Sequence, residues 1–125
     1  MKWKDSLRKW RQERGLTKPQ DNTNKETGNP AIVDMLLEEV DELKKAILEG
    51  DTHEIIDALA DTIVLSSNHI GQLKYDLDLV MKEVFKEISS RRGSINPKTG
   101  KWEKDKSQDP KTLYKANYGT CKVKS

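Results

Sequence analysis

The sequence is poor in cysteine and has no long apolar run. Its single cysteine, Cys121, excludes an intramolecular disulfide framework and a zinc site built from several cysteines. No apolar run approaches the roughly 20 residues that a membrane-spanning helix needs. The first residues lack the apolar segment of a signal peptide. We therefore expect a protein of the reducing cytoplasm, with no membrane partner.

Apolar residues are also scarce. Only 34% of the 125 residues are hydrophobic, whereas 35% are charged. A chain of this length suits one domain, and this composition leaves it a thin core. Helices with a thin core gain burial by self-association, so we expect a homodimer or a homotetramer.

The charges that are present are segregated along the chain. Residues 31–61 contain ten acidic and two basic residues, a net charge of −8, although the whole chain carries +2. Because a multivalent cation can bridge carboxylates to a phosphate, such a block suggests a metal site for an anionic ligand. A solvated acidic helix has the same composition. Only the positions of the acidic residues can therefore distinguish a metal site from such a helix.

Apolar periodicity predicts an all-α fold, a helical bundle of about four helices with an irregular, basic C-terminal tail. The predicted helices span residues 2–14, 31–49, 52–70 and 76–90, and Gly71 is expected to end or kink the third. The short link at residues 50 and 51 makes the second and third helices antiparallel neighbours. We expect residues 1–92 to form the helical domain and residues 93–125 to form a tail or lid packed on it.

Several carboxylates face the apolar sides of these helices. At about 100° per residue, Glu39 falls inside the apolar stripe of the second helix and Glu42 lies at its edge, whereas Asp41 points to the opposite side. The third helix is apolar around most of its circumference, with one polar stripe made of Glu54, Asp57, Asp61 and Asn68. Crowded carboxylates lose hydration and repel one another, which a divalent cation would compensate. Pairing of Glu39 and Glu42 with lysine or arginine is the alternative.

Two acidic motifs follow one another in this region. Residues 38–42 (EEVDE) fit the pattern EExxE, and residues 54–57 (EIID) fit ExxD after a short spacer. In this order they resemble the MazG-like, all-α nucleoside triphosphate pyrophosphohydrolases. The segments WRQERGL, IIDALADTIVL and KTGKWEKD are similar to parts of phage-type members.

The resemblance implies an activity and its cofactor. Such proteins hydrolyse a nucleoside or deoxynucleoside triphosphate to the monophosphate and pyrophosphate with Mg²⁺ or Mn²⁺. A purine nucleotide such as dGTP is one candidate substrate. The setting would be the cytoplasm of a bacterial or phage-infected host cell.

The resemblance also implies metal ligands. Glu39 and Glu42 match the two ligands of the first motif. The second pair stays open, because ExxD gives Glu54 and Asp57, whereas aligning residues 59–65 (LADTIVL) with the end of the motif makes Asp61 the final ligand. Helical geometry favours Asp57 and Asp61, one turn apart, with Glu54 extending the site.

Further residues have expected roles in catalysis and substrate binding. A free carboxylate, Glu38 or Glu54, is expected to take the proton of the attacking water. Asn68 is expected to contact the sugar or the base. The outer phosphates are assigned to the basic residues nearest in sequence, Lys82, Lys86, Arg91 and Arg92.

Two other functions fit parts of the sequence. Trp102, Tyr114 and Tyr118 lie among the lysines of the tail, which is typical of single-strand binders, so the alternative is a helical nucleic-acid-binding module that uses the basic termini. The acidic block argues against nucleic acid as a partner, since it would repel a phosphate backbone. The third possibility is a purely structural helical oligomer with solvated carboxylates.

Overall fold

The computed structural model describes residues 2–16 and 24–124, and its fold is all-α. Four helices carry it: α1 (Trp3–Glu13), α2 (Ile32–Glu49), α3 (Thr52–Gln72) and α4 (Leu77–Ser90). The predicted fold class and number of helices are confirmed. Among the described helices, none is both long and apolar enough to cross a bilayer.

The segment after α4 is only partly irregular. Two short antiparallel strands, β1 (Gly93–Ile95) and β2 (Trp102–Lys104), pair with Gly93 opposite Lys104 and Ile95 opposite Trp102. Two 3-10 turns follow at Pro110–Thr112 and Tyr118–Cys121. These strands are too short to change the fold class.

The chain divides into two compact units, one ending at Tyr75 and one beginning at Asp76. The first unit holds α1, α2 and α3, and the second holds α4, the hairpin and the two 3-10 turns. The expected division between a domain at residues 1–92 and a tail at 93–125 stays a prediction.

A tight turn joins α2 to α3. Gly50 adopts a left-handed conformation with φ of 69° and ends α2, as the sequence predicts. Asp51 then caps α3, because its Oδ1 accepts a hydrogen bond of 3.1 Å from the N–H of Glu54. Residues near the start of α2 and near the end of α3 line one cavity, so the two helices run antiparallel.

The end of α3 differs from the prediction. The helix continues through Gly71 to Gln72, and the chain turns at Lys74, whose φ is 66°. Gly71 serves packing instead, since a β-carbon there would collide with the guanidinium of Arg11. The glycine therefore leaves room for the guanidinium of Arg11 against α3.

The core of a single chain is as thin as the composition predicts. Among the described residues, the buried apolar side chains are Ala46, Ala58, Val80 and Cys121. Large apolar residues remain in contact with solvent, and Leu48 exposes 80% of its surface. Much of the apolar surface of α2 and α3 is therefore uncovered in one chain.

Candidate metal centre

Three carboxylates from α2 and α3 converge on one point. Glu39 and Glu42 lie three residues apart on α2 and so share a face, and Asp61 reaches them from α3. Each residue offers one carboxylate oxygen, and these three oxygens all lie within 4.8 Å of one another. Glu39 and Asp61 are half-buried, whereas Glu42 is exposed.

The cluster is electrostatically unfavourable for bare carboxylates. Burial raises the pKa of Glu39 above its ordinary 4.5, and a hydrogen bond with Glu42 and the charges of Glu42, Asp61 and Asp57 raise it further. Burial also raises the pKa of Asp61 above 3.8, with Asp57 and Glu42 adding to the effect. The folded chain therefore favours a proton or another positive charge at this point.

The donor set fits a hard divalent cation. All three groups present carboxylate oxygens, which are the ligands that Mg²⁺ and Mn²⁺ prefer. Glu39 Oε2 is buried, and no hydrogen-bond partner for it exists among the described residues. A bound cation would satisfy this oxygen and remove the repulsion within the cluster.

The other acidic residues predicted for the site lie around the cluster. Asp57 is exposed, one turn before Asp61, and close enough for its charge to act on Glu39 and Asp61. Glu54 and Glu38 are exposed as well, and neither belongs to the three-residue group found among the described residues. The structure thus brings together Glu39, Glu42 and Asp61, with Asp57 beside them.

A cavity of about 390 Å³ lies next to the carboxylates in the first unit. Its wall includes Met35, one turn before Glu39 on α2, and Leu65, one turn after Asp61 on α3. Asn68 also lines it, on the face of α3 that carries Asp61. The volume lies within the range of about 300–1,000 Å³ that is typical of ligand pockets.

Several residues of the cavity wall are not predicted by the sequence patterns. Arg14 Nη1 donates to the carbonyl oxygen of Trp10 at 3.2 Å, and the guanidinium lies 5.0 Å from the centre of the Trp10 ring. His69 lines the cavity with its Nε2 2.9 Å from the carbonyl oxygen of Thr27. Gln72 continues the polar stripe of α3, so extending that stripe by one turn would have predicted it. No local signal predicts that α1 reaches the cavity.

The basic residues assigned to the phosphates belong to the second unit. Arg91 pairs with Glu87 at 3.2 Å, and Lys86 lies 5.7 Å from the centre of the Tyr114 ring. Lys82 and Arg92 are exposed. The role of these four residues toward a substrate stays a prediction.

A comparison with protein families gives an independent result. Residues 27–98, more than half of the chain, match the family described as the MazG nucleotide pyrophosphohydrolase domain. Neither the curated proteins nor the solved structures gave a match. The matched segment contains α2 and α3 with the whole carboxylate cluster. Because this match covers more than half of the chain, the chain belongs to the MazG nucleotide pyrophosphohydrolase domain family.

Proposed function

We propose that the protein hydrolyses a nucleoside or deoxynucleoside triphosphate to the monophosphate and pyrophosphate, with Mg²⁺ or Mn²⁺ as cofactor. The observation that carries this proposal is the group of Glu39, Glu42 and Asp61, whose oxygens lie within 4.8 Å of one another inside the segment that matches the family. A structural role alone gives no reason to hold three carboxylates together when two of them are half-buried.

Glu39, Glu42 and Asp61 would hold the cation, with Asp57 as a fourth ligand and Glu54 extending the site. A bound Mg²⁺ or Mn²⁺ supplies neutralisation of phosphate oxygens and a lower pKa for a bound water. This assignment takes Asp61 rather than Glu54 as the acid that completes the second pair. It rests on the proximity of Asp61 to Glu39 and Glu42.

The reaction adds water across the phosphoanhydride between the α- and β-phosphorus atoms. The oxygen of the water bonds to phosphorus, the bridging bond breaks, and pyrophosphate leaves. A carboxylate outside the metal cluster, Glu38 or Glu54, takes the proton of the water, since both are exposed and lie close in sequence to the ligands.

The cavity beside the carboxylates is the proposed place for the sugar and base. It begins one helical turn from Glu39 and Asp61, so phosphates at the metal would leave the nucleoside next to Asn68. A purine nucleotide such as dGTP is the substrate we would test first. Lys82, Lys86, Arg91 and Arg92 are proposed to contact the outer phosphates.

The uncovered apolar surface supports assembly into a homodimer or homotetramer. Leu48 exposes 80%, Ile56 59% and Ile63 57% of their surfaces in the single chain. A second copy would cover such side chains at a gain of about 25 cal/mol per Å² of apolar surface. Sedimentation of the protein at micromolar concentration tests this, and a monomer there would contradict it. The proposed compartment is the cytoplasm, where nucleoside triphosphates are formed and used.

The activity is tested by incubating the protein with each ribo- and deoxyribonucleoside triphosphate in Mg²⁺, in Mn²⁺ and in EDTA. Monophosphate and pyrophosphate are quantified by anion-exchange chromatography. We expect both products in a one-to-one ratio, only with metal. Glu39→Gln and Asp61→Asn should each lower turnover by at least about 100-fold, because a metal supplies several kcal/mol of transition-state stabilisation.

The matched control is Asp41→Asn. It removes the same charge from an exposed position of α2 that is not in the cluster, so turnover should stay close to that of the unaltered protein. If Asp41→Asn and Asp61→Asn lowered turnover equally, turnover would depend on the total negative charge of residues 31–61 and not on the carboxylate cluster. Monophosphate without pyrophosphate would contradict cleavage between the α- and β-phosphorus atoms.

A further inference from the structure

The second unit contains a cavity of about 660 Å³ with a largely basic wall. The end of α4, the end of β2 and the segment that follows form this wall. Its positive charges are Arg91, Lys104, Lys106 and Lys115, and its negative charges are Glu87 and Asp105. Three of the four basic residues lie after residue 98, beyond the segment that matches the family.

Both acidic residues of this wall are already engaged. Glu87 accepts hydrogen bonds of 3.2 Å from Arg91 Nη2 and from the N–H of Ala116. Asp105 Oδ1 accepts from the N–H of Ser107 at 2.9 Å and from its hydroxyl at 2.6 Å, and these bonds lower the pKa of Asp105. Among the described residues, Glu87 is therefore paired with Arg91, and neither carboxylate forms an ion pair with a lysine of the wall.

The three lysines are free to bind an anion. Within residues 2–16 and 24–124, Lys104, Lys106 and Lys115 form no ion pair and no side-chain hydrogen bond. The cavity wall keeps a net charge of +2. Because ammonium groups on one wall reinforce one another, the cavity is a place where a phosphate chain would be attracted.

An exposed aromatic side chain shares a strand face with one lysine of this cavity. Trp102 and Lys104 are two residues apart on β2, so their side chains project from the same face of the hairpin. The Trp102 ring lies over Gly93, where a β-carbon would come within 2.5 Å of the indole. Since Trp102 is still 49% exposed, it offers a fixed surface on which a flat ligand can stack.

We propose that the second unit binds single-stranded nucleic acid, with phosphates at Lys104, Lys106 and Lys115 and a base stacked on Trp102. Lysines that follow the backbone beside an aromatic platform are the common means of binding single strands. The residues from Arg91 to Lys124 include ten basic and three acidic residues, whereas the acidic block of residues 31–61 belongs entirely to the first unit.

The test uses the full chain and a fluorescein-labelled oligothymidylate of twelve nucleotides, followed by fluorescence anisotropy. EDTA is present throughout, so that the carboxylates of the first unit hold no metal and recruit no phosphate. We expect binding that weakens as KCl is raised. The triple variant Lys104→Gln, Lys106→Gln, Lys115→Gln should bind at least about tenfold more weakly at low salt, with a salt slope smaller by about 2.

The matched control is the triple variant Lys98→Gln, Lys101→Gln, Lys111→Gln. It removes the same charge from exposed positions of the same segment that do not line the cavity. A loss of less than about threefold is expected for this control. Equal losses in the two triple variants would overturn the proposal, because binding would then follow total charge and not the cavity.

Two further measurements separate a nucleic acid from a free polyphosphate. Trp102→Ala should weaken binding of the oligonucleotide, and Trp102→Tyr should retain most of it, since a stacked base contributes about 1–3 kcal/mol. Inorganic tripolyphosphate should compete poorly at equal phosphate concentration. Unchanged binding by Trp102→Ala together with full competition by tripolyphosphate would overturn the proposal, as would no binding of the oligonucleotide by the unaltered protein at low salt.

Discussion

The hydroxyl of Tyr114 donates to the carboxylate of Glu83, with oxygen distances of 2.7 Å to Oε2 and 2.9 Å to Oε1. Glu83 lies on α4, is only 9% exposed, and is separated from Tyr114 by 31 positions in the chain. This hydrogen bond, more than burial, raises the pKa of Tyr114. The hydrogen bond between Tyr114 and Glu83 therefore stabilises the contact of the C-terminal segment with α4.

We expect Tyr114→Phe to lower the urea midpoint of unfolding, because the buried carboxylate loses its hydroxyl donor while the ring is kept. Tyr118→Phe is the control. Tyr118 is 43% exposed, so solvent water can take the place of its hydroxyl and the variant should lose little stability. Circular dichroism at increasing urea gives both midpoints. If the two variants had the same midpoint, the hydrogen bond to Glu83 would not contribute to stability.

The carboxylate cluster predicts how stability depends on pH without metal. Folding raises the pKa values of Glu39 and Asp61 above their ordinary values of 4.5 and 3.8. The contribution of these two groups to the free energy of unfolding is therefore fully present below the ordinary pKa values. It is lost as the pH rises through the pKa values of the folded state. Glu39→Gln should therefore raise the melting temperature in EDTA at about pH 8 and change it little at about pH 4. An effect of equal size at both pH values would contradict this prediction.

A divalent cation should reverse this destabilisation. At a free Mn²⁺ concentration of about 100 times its Kd, binding to the folded state alone adds about 2.7 kcal/mol to the free energy of unfolding. Thermal unfolding with Mn²⁺ and after its removal by EDTA measures the difference. Asp61→Asn should abolish most of the shift, whereas a shift that persists in this variant would place the ion elsewhere.

The proposed proton acceptors can be told apart from the metal ligands by the same measurement. Glu38→Gln should keep the metal-induced rise in melting temperature in full and Glu54→Gln should keep most of it, because neither residue belongs to the three-carboxylate group among the described residues. One of them should lower kcat by about 10²–10⁴-fold, the usual contribution of a general base. If neither did, the water would lose its proton to another group.

The cap of α3 offers a test of the helix that carries Asp61. Asp51→Ala removes the side-chain acceptor of the Glu54 N–H and should cost about 1 kcal/mol of stability. Asp51→Asn keeps an acceptor of the same shape and should cost only a few tenths. Urea unfolding of the two variants gives the difference, and equal stabilities would mean that the cap does not stabilise α3.

Periodicity predicted the parts of the site that depend on one helix. The direction of each side chain along a helix is fixed by its 3.6-residue repeat, and Glu39 indeed lies half-buried while Asp41 is exposed. The choice between Glu54 and Asp61 could not be made in this way. It depends on how α2 and α3 are placed against each other beyond the turn at Gly50, and a repeat within one helix carries no information about that placement.

Local sequence patterns do not predict contacts between distant segments of the chain. Gly71 is a local signal for a helix end, but its lack of a side chain makes room for Arg11, sixty residues earlier. The hydrogen bond between Glu83 and Tyr114 is not predicted either, since Tyr114 comes from a segment without helical periodicity. Such pairs are set by the packing of the whole unit, which outweighs local preference.

Cys121 is the largest fully buried side chain among the described residues, and its carbonyl oxygen accepts a hydrogen bond of 2.8 Å from the N–H of Asp76 at the start of α4. A thiol enclosed in this way reacts with a maleimide only after the end of the chain has detached. The rate at which maleimide labels Cys121 therefore measures how often the second unit opens. Any ligand that stabilises the closed unit would lower this rate.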